Sequence, residues 1–247
     1  MTEISTTCGR LIVDTKENHF ARAAALLGEA QARATGPTFT VAFSGGSTPQ
    51  DWYRWCVAQR ALAATVVARA QFTVSDERHV PLADGQSNFG SAARHLLDPL
   101  GVPAAQRHPW PVELAPAAAA IAYRETMRRI AGPGRAYDVC FLGMGDDAHT
   151  ASLFPHTTLL AADGGECFAA QEVPGKGWRL TITAAGLRAC GQIVMLTLGA
   201  AKAPALARVL RGPSDPLNVP SQILKACADR VLWLVDEAAA AGLSGGA

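Results

Sequence analysis

The chain has 247 residues, 49% of them hydrophobic, and a formal net charge of +1. That is enough apolar material for a sizeable core, in one large α/β domain or two small ones. So even a charge balance argues against the broad electrostatic footprint of a nucleic-acid binder, and an acidic ligand would have to be held by a few placed cations.

The six cysteines, Cys8, Cys56, Cys140, Cys167, Cys190 and Cys227, stand singly, without a C-x-x-C pair. Most have apolar neighbours, as in "DVCFLG", and read as buried free thiols suited to a reducing compartment. The N-terminus "MTEISTTCGRLIV" lacks the basic and apolar regions of a signal peptide. No apolar run approaches the ~18–20 residues of a membrane helix. The expectation is a soluble, cytoplasmic protein without nucleic-acid or membrane partners. No oligomerisation stripe stands out, and the chain is read as a monomer.

Short β-branched or aromatic runs recur, many followed by a helical pattern. "RLIVD" (10–14) precedes a helix over 18–34, where Phe20, Ala23, Leu27, Ala30 and Ala34 share a face. "TFTVAFS" (38–44) leads into "GGSTPQDWYRWCVAQRAL". "QFTVSDER" (71–78) reads as one strand and 87–100 as a helix. "GVPAAQRHPWPVELAP" (101–116), with its four prolines, reads as an extended crossing over the sheet edge. "YDVCFLGMG" (137–145) is apolar nearly throughout, as a strand covered on both faces should be. "RLTIT" (179–183), "QIVMLTLG" (192–199), a helix over 201–212 and "RVLWLVDEAAAAG" (230–242) follow. The tail "GLSGGA" is expected to fray. The alternation predicts one α/β domain over 1–247, a doubly wound, mostly parallel sheet with helices on both faces.

Ligands of such sheets bind beyond the carboxyl ends of the strands, and three of these ends carry unusual chemistry. "FSGGSTPQ" joins a glycine turn to two hydroxyls and to Pro49, expected as the first residue of a helix. In the turn Ser44–Thr48, backbone N–H groups at Gly45 and Gly46 and the hydroxyls of Ser47 or Thr48 suit an anion, although a plain Ser/Thr-capped turn uses the same residues. "SDERHVP" offers Arg78, a planar donor for phosphate or carboxylate, or else a surface ion pair with Asp76 or Glu77. Lys202 opens a helix, an electrostatically poor place unless an anion is near. Arg179 is a further cation, whereas Lys176, in a glycine-rich loop, reads as merely solvated.

"GMGDDAHTASLF" (143–154) leaves His149 open to three readings: metal ligand, general base, or polar residue at a helix start. His156 is the nearest further ligand, and no third or fourth appears at a recognisable spacing, so no metal is assigned. Asp147 or Thr150 could cap a helix under any reading, and an imidazole is the natural base near neutral pH.

Together, "FSGGSTP", "SDERHVP" with Ser87–Asn88, "FLGMGDDAHTASLFP" and "RLTIT" resemble the 6-phosphogluconolactonases, kin to the glucosamine-6-phosphate deaminases. "LGAAKAPAL" and "VLWLVDEAA" fit less specifically. The motifs run in the family's order over about residues 10–240, and "DERHVP" and "HTASLFP" resemble the lactonase branch. The resemblance implies a Rossmann-like doubly wound sheet with a small extra sheet, and hydrolysis of 6-phospho-D-glucono-1,5-lactone without a cofactor. It implies His149 as base, Asp147 as its orienting partner, and Ser44–Thr48, Arg78, Arg179 and Lys202 as substrate holders. Asp76 aligns with an acid that transfers protons in the deaminase branch. A sugar-phosphate deaminase or isomerase, or a non-catalytic sugar-phosphate sensor, are the alternatives. One departure stands out: Ala148 occupies a position where the family usually has glycine, at a cost of roughly 1 kcal/mol if the position needs positive φ. Asp146 stands where proline is frequent.

Overall fold

The computed structural model describes residues 1–161 and 165–243. The tail expected to fray lies, from residue 244 on, outside the described residues.

The chain opens with a hairpin, β1 (Thr2–Thr6) and β2 (Gly9–Val13), followed by helix α1 (Lys16–Arg33). The Thr15 side chain caps α1 by accepting from the Asn18 N–H, and Phe20, Ala23, Leu27 and Ala30 form its buried stripe. Next come β3 (Phe39–Phe43), α2 (Ser47–Ala58), α3 (Ala64–Arg69), β4 (Ala70–Val74) and β5 (Asp76–Arg78). Helix α4 (Asn88–Ala92) runs into a wider π-helical turn, and α5 (Pro116–Ala131) leads to β6 (Val139–Leu142) and the single turn α6 (Thr158–Ala161). The remainder is β7 (Phe168–Val173), β8 (Gly177–Ile182), α7 (Ala184–Arg188), β9 (Gln192–Thr197), α8 (Ala203–Arg211), β10 (Val231–Val235) and α9 (Glu237–Ala240).

Seven strands form one sheet in the order β1-β2-β10-β9-β6-β3-β4, parallel except for edge strand β1. From β3 the chain winds to β4 on one side and then to β6, β9 and β10 on the other. The point where the winding reverses lies between β3 and β6, and the turns carrying Ser44–Gly46 and Gly143–His149 follow those two strands. β3, β6 and β10 are buried along their whole length, as strands of an α/β sheet covered on both faces must be.

The run 71–78, expected as one strand, is two. Ser75 breaks it: its N–H donates to the Phe43 carbonyl of the main sheet, and its own carbonyl accepts from Ile182 of the other sheet. Beyond Ser75 the chain enters a three-stranded antiparallel sheet, β5-β8-β7. Aromatic packing ties this small sheet down. The Trp110 and Tyr123 rings stack at 3.7 Å, the edge of Phe168 of β7 meets both, and the Trp110 indole N–H donates to the Val74 carbonyl. The proline-rich segment runs along the sheet edge, with His108 N–H bonded to the Phe72 carbonyl beside β4, but it is not extended throughout, since Ala104–Gln106 form a 3-10 turn.

β1, β7 and the helices α3, α5, α6 and α7 were not anticipated from the sequence. β1 is an exposed edge strand without a buried face, so it carries no apolar alternation to read. Five cysteines are buried, Cys167 is half-buried, and all six are unpaired. Among the described residues, no helix is long and apolar enough to cross a membrane.

Candidate active site

A cleft of about 290 Å³ opens at the carboxyl ends of β3, β4, β6 and β9, near the lower end of the roughly 300–1,000 Å³ typical of small-molecule sites. Of the residues singled out from the sequence, Ser44, Gly45, Gly46, Asp76, Arg78, His149, Arg179 and Lys202 line it. Ser47, Thr48 and Asp147 do not.

The first wall is the turn after β3. Phe43, Trp52, Tyr53, Phe72 and Phe141 pack beneath it, and the Tyr53 hydroxyl donates to the Ser44 carbonyl at 2.7 Å, which fixes the turn. Helix α2 begins at Ser47, so Pro49 is its third residue and not its first. No side chain caps α2 and no acid occupies its first turn. The Ser/Thr-capped alternative is therefore not what forms, and the free N–H groups at this end suit an anion. Gly45 is forced by crowding: a Cβ there would fall 1.9 Å from Asn88 Oδ1.

The second wall is β5. Asp76 is buried, and its carboxylate accepts from Ser152 Oγ at 2.7 Å. Asn88 Nδ2 donates to the Asp76 carbonyl at 2.9 Å. Neighbouring Glu77 points the other way and accepts from the N–H groups of Arg78, Asn88 and Phe89 and from Ser87 Oγ, at 2.7–3.0 Å. Burial pushes the Glu77 carboxyl above its ordinary value, with these four donors opposing.

Arg78 does not form the surface ion pair that was its alternative. Its guanidinium donates to the Gln86 carbonyl at 2.7 Å, and across the antiparallel β5–β8 pair it lies opposite Arg179. Two like charges directly opposed are unfavourable by themselves. Burial, and then the Arg78 charge, lower the Arg179 pKa, although a guanidinium stays protonated. Among the described residues no carboxylate pairs with Arg78, Arg179 or Lys176. Lys202 does have a partner: its Nζ reaches Asp146 at 2.7 Å, which supplies the anion its position called for.

The third wall is the loop after β6. His149 Nδ1 lies 2.5 Å from Asp147 Oδ1, and the His149 N–H donates to the same oxygen at 3.1 Å. Burial by itself would raise the Asp147 pKa. The hydrogen bonds and charge of His149 outweigh it, and the carboxyl sits below its ordinary value. Asp147 thus reaches the ring from behind, outside the cleft, while the Phe154 ring packs against the imidazole at 4.2 Å. Gly145 is required here, because a Cβ would lie 2.0 Å from His149 Nδ1. Ala148 has φ 64°, the left-handed conformation that makes alanine in place of the family's glycine costly. Asp147 and Thr150 cap no helix; Thr150 Oγ1 donates to the Gly143 carbonyl within the loop.

His156 lies on the neighbouring hollow with Asp147, outside this cleft. Among the described residues, no three His, Cys, Asp or Glu side chains gather as a metal site would require. Sequence reasoning passed over Ser152 and misjudged Lys176. Lys176 is exposed, as expected, yet it lines the cleft, with Nζ 5.1 Å from the centre of the Phe154 ring. The only available signal was its place three residues before Arg179 on the same hairpin.

A family model described as "Glucosamine-6-phosphate isomerases/6-phosphogluconolactonase" matches residues 14–233. The 6-phosphogluconolactonase of a Nostoc strain is 37% identical over 213 residues, 83% of this chain and 85% of that protein. That of a Synechocystis strain is 33% identical over 211 residues, 83% of this chain and 84% of its own. The solved 6-phosphogluconolactonase from Leishmania guyanensis superposes with a TM-score of 0.78 at 26% identity, covering 95% of this chain and 98% of that one. With the sheet order, the cleft and these matches in agreement, the chain belongs to the glucosamine-6-phosphate isomerase/6-phosphogluconolactonase family.

Proposed function

We propose that the protein hydrolyses 6-phospho-D-glucono-1,5-lactone to 6-phosphogluconate, a step of the oxidative pentose phosphate pathway, with His149 as general base. The observation that carries this reading is a carboxylate-bound imidazole on a cleft with four cations, three of them without a carboxylate partner among the described residues. The curated relatives at 37% and 33% identity are lactonases by name, which favours this branch over the deaminases.

Asp147, held as a carboxylate, accepts the Nδ1 proton and leaves the Nε2 lone pair free. Nε2 takes a proton from water as its oxygen attacks the lactone carbonyl carbon. The imidazolium then returns that proton to the ring oxygen as the carbon–oxygen bond breaks. Arg78 and Arg179, opposed across two strands, hold the phosphate, and an anion between them relieves their mutual repulsion. The Ser44–Thr48 turn and Lys202 complete the binding of the substrate. Because Ser47 and Thr48 do not line the cleft, their part is confined to the helix end. Asp76, fixed by Ser152, faces the sugar. The reaction consumes only water, so the reading calls for no cofactor. We further read residues 1–247 as one domain, acting as a monomer in the cytoplasm, where six unpaired thiols remain reduced.

The test is turnover of freshly prepared lactone, corrected for spontaneous hydrolysis, by the wild type and by His149→Ala. Loss of a general base should lower kcat by about 10²–10⁴-fold. Near-wild-type turnover in the variant would refute the base assignment. Ammonia release from glucosamine 6-phosphate, or tight 6-phosphogluconate binding without turnover, would refute the lactonase reading itself.

A further inference from the structure

Among the described residues, four that are not glycine have positive φ, and three lie between 148 and 156: Ala148 at 64°, Ala151 at 48° and His156 at 61°. Left-handed backbone is disfavoured for an L-residue because its Cβ crowds the following carbonyl. At Ala148 this conformation sits between the two members of the Asp147–His149 pair, so something must hold it against relaxation.

Inside the loop, the Ala148 N–H donates to the Gly145 carbonyl at 3.0 Å. The remaining restraint comes from 73 residues away. The Ala148 carbonyl accepts two hydrogen bonds from one residue: the Ser221 N–H at 2.9 Å and the Ser221 hydroxyl at 2.8 Å. Both residues are fully buried. Gln222 fixes the segment that carries Ser221, accepting from the Asp215 N–H at 2.6 Å and donating to the Arg208 and Pro213 carbonyls.

The peptide joining Ala148 to His149 is planar, so orienting its carbonyl also orients its N–H. That N–H is the one that donates to Asp147 Oδ1, the oxygen that also receives His149 Nδ1. Ser221 therefore grips one edge of a rigid plate whose other edge aligns the carboxylate with the imidazole.

We propose that Ser221 is a positioning residue for the Asp147–His149 pair, and that it holds in place by hydrogen bonding a backbone conformation that glycine at 148 would adopt freely. The proposal rests on the reading of His149 as the base. The hydroxyl is the part that substitution can remove, since the backbone N–H at 221 remains in every variant except proline.

The experiment is a double-mutant cycle of Ser221→Ala with Ala148→Gly, read in two ways. The first is kcat and KM for the lactone as a function of pH. The second needs no substrate: the His149 Nδ1–H proton resonance of ¹⁵N-histidine-labelled protein, which reports the bond to Asp147. Ser221→Ala should lower kcat about three- to tenfold, the range a neutral buried hydrogen bond spans, with KM within about twofold. It should also broaden or shift the resonance. In the Ala148→Gly background the same change should move kcat by less than about twofold and leave the resonance in place.

Equal effects in both backgrounds would overturn the proposal. So would a lowered Tm with kcat, pH profile and resonance untouched, which would make the contact structural only. If Ser221→Ala does not fold, Ser221→Cys, of the same shape with a weak S–H donor, carries the same comparison. A wild type without lactone turnover would defeat the functional reading while leaving the resonance comparison able to decide this one.

Discussion

Glu77 sits beside the cleft and is fully buried, yet it never faces the substrate. Its carboxylate gathers four donors, and two of them are the first free N–H groups of α4, those of Asn88 and Phe89. Ser87 Oγ takes the next, from Gly90. Glu77→Gln keeps the shape and replaces one oxygen by a donor. Placed at Oε1, the new NH2 group would meet two N–H donors, Arg78 and Asn88. Placed at Oε2, it meets the Ser87 hydroxyl, which can accept, and the Phe89 N–H, which cannot. The better rotamer thus leaves one buried N–H unpaired, at about 1–3 kcal/mol, and removes the charge assistance from the bonds that survive. Against this, burial no longer opposes an ionised group, the effect that raises the Glu77 pKa. The net cost is about 2–4 kcal/mol. For a chain of this size it should lower Tm by roughly 5–15 °C, at about 2–4 °C per kcal/mol. Thermal unfolding at pH 7, followed by circular dichroism, measures it. A Tm within about 2 °C of the wild type would show that the four donors do not hold α4 in place.

Two further outcomes are expected. Gly145→Ala would bring a Cβ to 2.0 Å from His149 Nδ1 and 2.7 Å from Asp147 Oδ1, forcing the ring aside; kcat should fall by about 10²-fold, as for a misplacement of about 1 Å, and turnover within threefold of the wild type would contradict the placement. His19 is buried under β10, bonded to the Val235 carbonyl, and burial lowers its pKa despite that bond. Below about pH 6.5 the unfolded chain therefore takes up a proton that the native state refuses. This contribution to stability is present above that pH and is lost as pH falls towards the folded value. Tm measured from pH 7.5 to 5.5 should drop less steeply for His19→Gln, and equal slopes would refute the assignment.

The alternation of strands and helices, the buried strand "YDVCFLGMG" and the amphipathic α1 were legible because their signal is local: apolar spacing and an uninterrupted apolar run. The positions of the three strand-end motifs were legible for the same reason, and so was the special backbone at Ala148, through its departure from the family's glycine. The break at Ser75 was not, because the residue hydrogen-bonds to both sheets and neither bond leaves a mark in the neighbouring sequence. β1 escaped notice because an exposed edge strand needs no apolar face. Lys176 looked solvated because its relation to Phe154 exists only once the β7–β8 hairpin is folded against the β6 loop.

The sequence by itself determined the fold class and which residue types were available for chemistry, since periodicity and turn residues act within a few positions of the chain. Only the tertiary structure decided which of those residues meet, because the restraints that set them are long-range. Ser221 grips Ala148, Ser152 fixes Asp76, Asn88 fills the space that only Gly45 leaves open, and Arg78 lies opposite Arg179. Each pairing joins segments far apart along the chain, where no local preference can encode a distance.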